Sequence, residues 1–363
     1  MTGIGPLDEF PLHQAPLPLA WANSSDRNFY DRWYFNAHDR TGDVMVITGL
    51  GYYPNLGTKD AFVLVARNGE QTAVHLSDLI DQDRLNPHVG RYRVEVPEPL
   101  QTVRVVLEET EGIAVDLTWT GTCPVVQEQP HVLRSGSRVT LDAQRFAQLG
   151  AWSGTISIDG EDIAVDPASW LGSRDRSWGI RPVGAPDPQP AVPQTVTGFF
   201  WQWTPLNFAD RSVFFHVNAD PDGRPWNTRA VIVPDGAGPD GGYETSACRM
   251  EDVALIPGTR HARTGRLAIP LDQGEARISF EPFLTFLMRG IGYGGEWRHG
   301  GWKGELAVGR EDIRLAEVNM GSPENWHIQA LSRVRLETPG EAPQQGLGVF
   351  EQLIAGPYRP YGL

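Results

Sequence analysis

The chain has 363 residues and a formal net charge of −14, from 45 acidic and 31 basic residues. Its length predicts two domains, and its negative charge argues against a nucleic-acid partner because it repels phosphate. Cys123 and Cys248 are too distant for a C-x-x-C motif, the first 20 residues lack a signal-peptide pattern, and no apolar run is long enough to span a membrane. We therefore predict a cytoplasmic protein without an integral membrane segment.

The composition favours strands. Forty glycines, 29 prolines and 12 tryptophans accompany an apolar fraction of 40%, which is typical of a turn-rich chain with a buried core. After a proline-rich strap over residues 1–20, short β-type runs, several with clear alternation, predict strands at 44–48, 61–66, 92–96, 102–108 and 113–119. Asp142 is a helix-capping residue, and the segment that follows it predicts a short helix ending at Gly150.

Two segments of the chain resemble one another. Residues 152–165 align without a gap on residues 302–315, with five identities in fourteen positions. Each copy alternates apolar and polar residues around a two-residue turn, Asp159-Gly160 in the first and Gly309-Arg310 in the second, so each predicts a β-hairpin. The repeat indicates a duplication that produced two related all-β domains.

A proline-rich segment marks the predicted domain boundary. Residues 182–193 hold five prolines without a regular pattern, which predicts a stiff linker over 182–194 between a domain at 21–181 and a domain at 195–363. In the second domain, strands are predicted at 197–205, 213–217 and 229–233. Residues 326–337 predict a long strand, with His327 and Gln329 on its solvent side.

Motifs for metals, phosphates and nucleophiles are missing from the sequence. The nine histidines show neither H-x-x-x-H nor H-x-H spacing. The glycines at 290–295 lack the strand and helix context of a phosphate loop, and no G-x-S-x-G run is present. We therefore predict no metal site and no cofactor.

Charged and aromatic residues concentrate in the run from Leu171 to Pro182, LGSRDRSWGIRP. One interpretation is an inter-domain corner, in which Asp175 pairs with an arginine and Trp178 fills the end of a core. The other is a carboxylate and an indole at the rim of a ligand pocket.

Further candidates lie in the second half of the chain. Tyr293, Glu296, Trp297 and His299 stand between glycines, in either a loop over a pocket or a packed turn. His216 interrupts an apolar strand, as an interior histidine or as a pocket residue. Two positions apart on a strand, Trp201 and Trp203 share one face, which is either core or the wall of an apolar cavity.

The D-R-S-W-G-x-R run at 175–181, the F-F-W-Q-W run at 199–203 and the W-R-H-G-G-W-K-G-E run at 297–305 resemble the carotenoid 1,2-hydratase superfamily, also called AttH-like. The similarity covers most of the chain in order. It implies two packed, lipocalin-like β-barrel or sandwich domains. It also implies activities such as water addition to the double bonds of carotenoids and prenyl groups, while lipocalin-like relatives close polyketide rings by cycloaddition.

Hydration of an isolated alkene requires a protonated acid, a site that stabilises a cation, and a positioned water. Under this resemblance Asp175 is the acid, and His216 or His299 positions the water. The predicted ligand-binding residues are Trp178, Trp201, Trp203, Tyr293, Trp297 and Glu296. Arg174 and Arg176 flank Asp175 and would hold it ionised if their guanidinium groups lay beside it.

The sequence thus predicts an enzyme that hydrates or dehydrates a C=C bond of an apolar terpenoid, polyene or polyketide-like molecule. Two alternatives stay open: a non-catalytic carrier of such a ligand, and a cofactor-free cyclase or isomerase that folds its substrate in a barrel pocket. The three classes differ in whether a carboxylic acid at position 175 is needed. The sequence does not indicate an oligomeric state.

Overall fold

The computed structural model describes residues 6–136, 138–183, 198–238, 241–289, 291 and 295–363, and its regular structure is nearly all β-strand. In chain order the strands are β1 (Phe29–Asp39), β2 (Val44–Tyr53), β3 (Thr58–Arg67), β4 (Glu70–Leu79), β5 (His88–Val89), β6 (Tyr92–Glu98), β7 (Thr102–Thr110), β8 (Ile113–Gly121), β9 (Val126–Gln127), β10 (His131–Ser135), β11 (Arg138–Ile158), β12 (Glu161–Val165), β13 (Trp170–Ile180), β14 (Phe199–Asn207), β15 (Arg211–Ala219), β16 (Pro225–Pro234), β17 (Tyr243–Thr245), β18 (Arg249–Leu255), β19 (Ala262–Pro270), β20 (Glu275–Leu287), β21 (Ala307–Arg314), β22 (His327–Glu337) and β23 (Gln344–Ala355).

The helical segments of the described residues are single 3₁₀ turns at Pro6–Glu9, Pro54–Leu56, Leu315–Glu317, Pro323–Asn325 and Arg359–Tyr361. Within these described ranges, no helix has the length and apolar character needed to cross a membrane.

Among the described residues the strands form two antiparallel sheets. The first sheet has the order β21-β4-β3-β2-β1-β13-β11-β8-β7-β6-β5, and β9, β10 and β12 also pair with β11. The second has the order β17-β16-β15-β14-β23-β22-β20-β19-β18. This arrangement confirms the all-β prediction.

The three largest apolar clusters among the described residues form the main cores. The first sheet curls around one core, in which Phe35, Val63, Trp119 and Trp152 are fully buried. The second sheet has its own core around residues such as Phe350. The third core lies between the two sheets and takes apolar side chains from both. Strands at this interface are therefore buried on both faces.

Strand β1 shows how the sequence achieves burial on both faces. Successive side chains of a strand point to opposite faces. Phe35 and Ala37 therefore enter the core of the first sheet, whereas Tyr34 joins the core between the sheets. On this second face Arg32 and Asn36 are also buried, although they are polar. The face of β1 that meets the second sheet thus carries polar groups into the interior.

Two local predictions are wrong. The helix predicted from Asp142 to Gly150 is part of β11, where residues 142–151 pair with β13. This tertiary pairing outweighs the local capping signal. The second predicted hairpin, with a turn at Gly309-Arg310, is the single strand β21, which pairs along its whole length with β4 of the first sheet.

The first predicted hairpin is confirmed. Strands β11 and β12 pair from Ile158 with Glu161 to Gly154 with Val165. Between them Asp159 and Gly160 both have positive φ, 50° and 86°, as a type I′ turn requires.

The predicted linker at 182–194 falls between β13 and β14, and most of it lies outside the described residues. The division into domains at 21–181 and 195–363 stays a prediction. Strand β21 comes from the second of these segments and yet completes the first sheet.

We expect Trp152→Ala to lower the free energy of unfolding by about 3–5 kcal/mol, because it opens a cavity in a close-packed core. The Trp152 indole packs edge to face on Trp119, with ring centroids 5.1 Å apart, and its Nε1 donates to the Asn36 carbonyl at 2.8 Å. Urea unfolding measures the loss. Trp178→Ala is the matched control: its side chain is 38% exposed, so a change below about 1 kcal/mol is expected. Equal losses in the two variants would contradict this packing.

Candidate functional site

A cavity of about 90 Å³ lies between the two sheets. Its charged and polar lining comprises Tyr30, Arg32, Tyr34, His131, Arg145, Asp175, Ser177, Arg181, Asn218, His299, His327 and Glu351. Its apolar lining comprises Leu141, Ala143, Phe199, Trp201, Met288, Ile291 and Leu353. Such a concentration of titratable groups with an apolar wall is the usual character of a ligand site.

Asp175 faces this cavity, whereas its two neighbours in sequence do not approach its carboxylate. Arg174 Nε donates to Gln148 Oε1 at 2.8 Å, and Arg176 Nη1 donates to Asp31 Oδ1 at 2.6 Å. Alternation along β13 places both guanidinium groups on the opposite face of the sheet. The objection that Arg174 and Arg176 hold Asp175 ionised therefore does not apply.

The cation that approaches Asp175 comes from the neighbouring strand. Arg145 Nε, on β11, lies 3.9 Å from Asp175 Oδ2. Burial raises the pKa of Asp175, Arg145 and Arg32 oppose that rise, and the pKa stays above its usual range. The protonated acid is therefore favoured more than in an exposed aspartate.

Glu351, on β23, is the second carboxylate of the cavity, and three donors surround it. Trp201 Nε1 and His327 Nε2 both lie 2.9 Å from Oε1, and Gln329 Nε2 donates to Oε2 at 2.8 Å. Burial acts to raise the pKa of Glu351, but the hydrogen bond and charge of His327, with Arg145 and Trp201, lower it below the usual range. Glu351 is thus stabilised as a carboxylate.

A third buried carboxylate, Glu128, lies between β9 and β10. Its Oε1 accepts a hydrogen bond from Trp203 Nε1 at 2.8 Å, and its Oε2 lies 3.0 Å from His131 Nε2. Arg145 Nη1 is 3.8 Å away, and His216 Nδ1 is 4.0 Å away. Although burial acts to raise the pKa of Glu128, the nearby Arg145 and histidines hold it well below its usual range.

His299 lines the cavity, as predicted for a residue near the ligand. Arg32 Nη1 lies 2.5 Å from its Nε2. Burial, followed by the charges of Arg32 and Arg181, lowers the pKa of His299 well below the usual range. The ring is therefore neutral, with Nε2 accepting from the guanidinium.

Two predicted residues lie behind the cavity wall. His216 contacts His131 and Glu128 rather than the cavity itself, and burial lowers its pKa to about 4. Trp203 is fully buried and packs edge to face on Tyr34, with ring centroids 6.1 Å apart. Trp201, by contrast, forms part of the cavity wall, beneath the Arg145 guanidinium.

The other predicted ligand-binding residues lie elsewhere. Trp178 is on the outer face of β13, because it is an odd number of residues from Asp175, and it contacts Phe146. Trp297 stacks on His75 at 5.4 Å, away from the cavity. Exposed to solvent, Glu296 pairs with Lys303 at 3.2 Å. Tyr293 lies outside the described residues.

Several groups of the site are not evident from the sequence. Arg145 was hidden in the segment predicted as a helix, so its position beside Asp175 could not be foreseen. The only signal for Glu128 and His131 was their spacing of three residues. Alternation along residues 326–337 predicts that His327 and Gln329 face solvent. This prediction is wrong for Gln329, which is fully buried against Tyr34 of the first sheet.

A family model described as a family of unknown function, DUF8625, matches residues 4–363. The chain belongs to this family. No curated protein matches this DUF8625 chain by sequence.

Solved structures resemble this DUF8625 protein over nearly its whole length. A candidate AttH from Nitrosomonas europaea aligns with a TM-score of 0.54 and 13% identity, over 94% of this chain and 98% of that one. Kievitone hydratase from Nectria haematococca aligns with a TM-score of 0.54 and 13% identity, over 90% and 89%. CghA with Sch210972 aligns with a TM-score of 0.51 and 13% identity, over 91% and 89%. These matches confirm the prediction of two packed, lipocalin-like β units.

Proposed function

We propose that this protein is an enzyme of the AttH-like superfamily that adds water to, or removes it from, a C=C bond of an apolar small molecule. The observation that carries the proposal is the pair Asp175 and Glu351. Both carboxylates line one cavity, and their environments move their pKa values in opposite directions. Two carboxyl groups whose pKa values differ in this way are suited to act as acid and base.

In the proposed hydration, Asp175 gives its proton to one carbon of the double bond, and a cation develops on the other. The Glu351 carboxylate stabilises that positive charge. A water molecule then forms the new C–O bond and gives a proton to the Glu351 carboxylate, which is the base of the pair. Return of a proton to Asp175 completes the cycle, so one water is added for each double bond consumed.

The shape of the site supports a ligand with a reactive apolar end. A cavity of about 90 Å³ is smaller than sites that enclose a whole drug-sized molecule. A prenyl-like group fits this size against Phe199, Trp201 and Leu353, while the guanidinium groups of Arg32 and Arg181 give the same cavity a polar side. Structural similarity to a hydratase at 13% identity is consistent with this chemistry.

The first test uses water labelled with ¹⁸O. The purified protein is incubated in this water with an apolar extract of its source cells. A heat-inactivated sample and the Asp175→Asn variant are treated in the same way. We expect a compound that gains one labelled water only with the active wild-type protein. A product of unchanged mass and shifted retention would indicate a cyclase or isomerase. A compound that is retained unchanged would indicate a carrier, and both results would exclude the hydratase.

One observation favours a cyclase as the second candidate. Arg145 Nε is buried and has no hydrogen-bond acceptor among the described residues, so it could donate to a substrate carbonyl. Such a bond would withdraw electrons from a conjugated double bond and favour ring closure. CghA, one of the structural neighbours, was solved with Sch210972 bound.

The proposed acid role gives a defined pH dependence. The pKa of Asp175 is raised in the folded enzyme, so its active, protonated form persists above the pH at which ordinary aspartates ionise. We expect kcat/KM for hydration to fall as pH rises through this pKa. A pH series on the wild-type protein measures it. Activity that instead increases as Asp175 ionises would assign Asp175 the role of a base.

A further inference from the structure

A second cluster of chemistry-bearing side chains lies beside the cavity. Glu128, His131 and His216 come from three separate places: the segment between β9 and β10, the first residue of β10, and the middle of β15. One potential ligand atom from each residue lies within 4.8 Å of those of the other two. Glu128 Oε2 is 3.0 Å from His131 Nε2 and 4.0 Å from His216 Nδ1. All three residues are at most 5% exposed. The fold thus brings two imidazoles and one carboxylate to a single point.

The outer nitrogen of each imidazole lies near an amide oxygen. His131 Nδ1 is 3.1 Å from Asn218 Oδ1, and His216 Nε2 is 3.1 Å from Asn227 Oδ1. A ring nitrogen that donates to an amide oxygen carries the proton, so the opposite nitrogen of a neutral ring presents its lone pair. Both lone pairs then face the Glu128 carboxylate. Outer partners of this kind are the usual support of histidine ligands to a metal.

We propose that Glu128, His131 and His216 bind a divalent transition-metal ion, with Zn²⁺ as the expected ion. A cation at the shared point takes the place of the contact between His131 Nε2 and Glu128 Oε2, and the two ring nitrogens and the carboxylate become its ligands. Two histidines and one carboxylate suit zinc and related ions, whereas calcium and magnesium prefer oxygen ligands. Three protein ligands leave a coordination position for water.

The positive charge of Arg145 near the cluster does not prevent a cation from binding there. Arg145 Nη1 lies 3.8 Å from Glu128 Oε2, but Arg145 Nε faces Asp175 at 3.9 Å, so its charge is shared between two carboxylates. Trp203 Nε1 holds the other oxygen of Glu128, which leaves Oε2 for the metal. His131 also lines the cavity, which gives the ion a path to the cluster.

The test measures zinc content. The wild-type protein, His131→Gln, His216→Gln and the control His261→Gln are stripped with a chelator, dialysed against Zn²⁺ and analysed for bound metal. His261 is also a buried histidine, but its Nε2 contacts the Asn325 carbonyl, away from this cluster. We expect one zinc per chain in the wild-type protein and the control, and its loss in the other two variants.

A second measurement uses the wild-type protein and therefore does not depend on whether the histidine variants fold. The wild-type protein, loaded with Co²⁺, is expected to show the visible absorption of a low-coordinate site, and Zn²⁺ should abolish it. Asn218→Ala is expected to weaken zinc affinity about 10–100-fold. A wild-type protein without stoichiometric zinc or cobalt absorption overturns the proposal, as does unchanged binding in both histidine variants. These readouts do not depend on turnover, so the metal site and the proposed hydratase can fail separately.

Discussion

Asp175→Asn is expected to lower kcat for hydration by about 10²–10⁴-fold, the usual contribution of a general acid. The amide has nearly the size of the carboxylic acid and stays within reach of Arg145, but it cannot deliver the proton. Because the protonated acid and the amide are both neutral, ligand affinity should change little. The measurement is steady-state turnover, with ligand binding measured separately, on a compound found by the labelled-water experiment.

Asp162→Asn is the control, because Asp162 is exposed on β12, and full turnover is expected. If Asp175→Asn also retains full turnover, Asp175 is not the acid. A loss confined to affinity would assign Asp175 to ligand binding. A cyclase that works mainly by shape would lose only a small part of its rate.

Arg145→Met is expected to lower the free energy of unfolding by about 3–5 kcal/mol at neutral pH, because it leaves buried carboxylates without their cation. Arg145 lies within 4 Å of both Asp175 and Glu128. Arg145 also lowers the pKa of Asp175, so this pKa should be higher in the Arg145→Met variant. The stability deficit should therefore grow as pH rises and Asp175 ionises, and shrink in acid. Urea unfolding at several pH values measures this.

Arg174→Met is the matched control. Arg174 is also an interior arginine and lies on the next strand, but no carboxylate of the described residues pairs with it, and burial lowers its pKa to about 10. Replacing an unpaired buried charge with an apolar side chain should cost little. Similar losses in the two variants would show that packing, rather than charge, explains the effect at Arg145.

Much of the fold could be predicted because strand alternation is a local signal. The strands at 44–48, 102–108 and 113–119 lie within β2, β7 and β8. The failures involve long-range pairing. Residues 142–150 carry a local helix signal, but they form part of β11. This strand pairs with β13 along one edge and with β8, β9 and β10 along the other. Residues 302–315 resemble a hairpin, but the edge of β4 accepts residues 307–314 as one strand.

The site was only partly predictable for the same reason. Asp175, His299 and Trp201 were identified from local composition, and all three line the cavity. Trp178 was chosen with Asp175 because the two are neighbours in sequence, but the strand points them to opposite faces. Glu351 and Arg145 come from other strands, and only the packing of the two sheets brings them to Asp175.

The most direct test of the central claim is the protonation state of Asp175, which can be measured without a substrate. Infrared difference spectra of the wild-type protein and Asp175→Asn isolate its carboxylic acid band. Asp60→Asn is the control, because burial raises the pKa of Asp60 to about 6 and gives a second band. We predict that the Asp175 band persists at a pH well above the usual aspartate pKa of about 3.9. A band that disappears at or below that value would show an ionised Asp175, and would contradict its role as the proton donor.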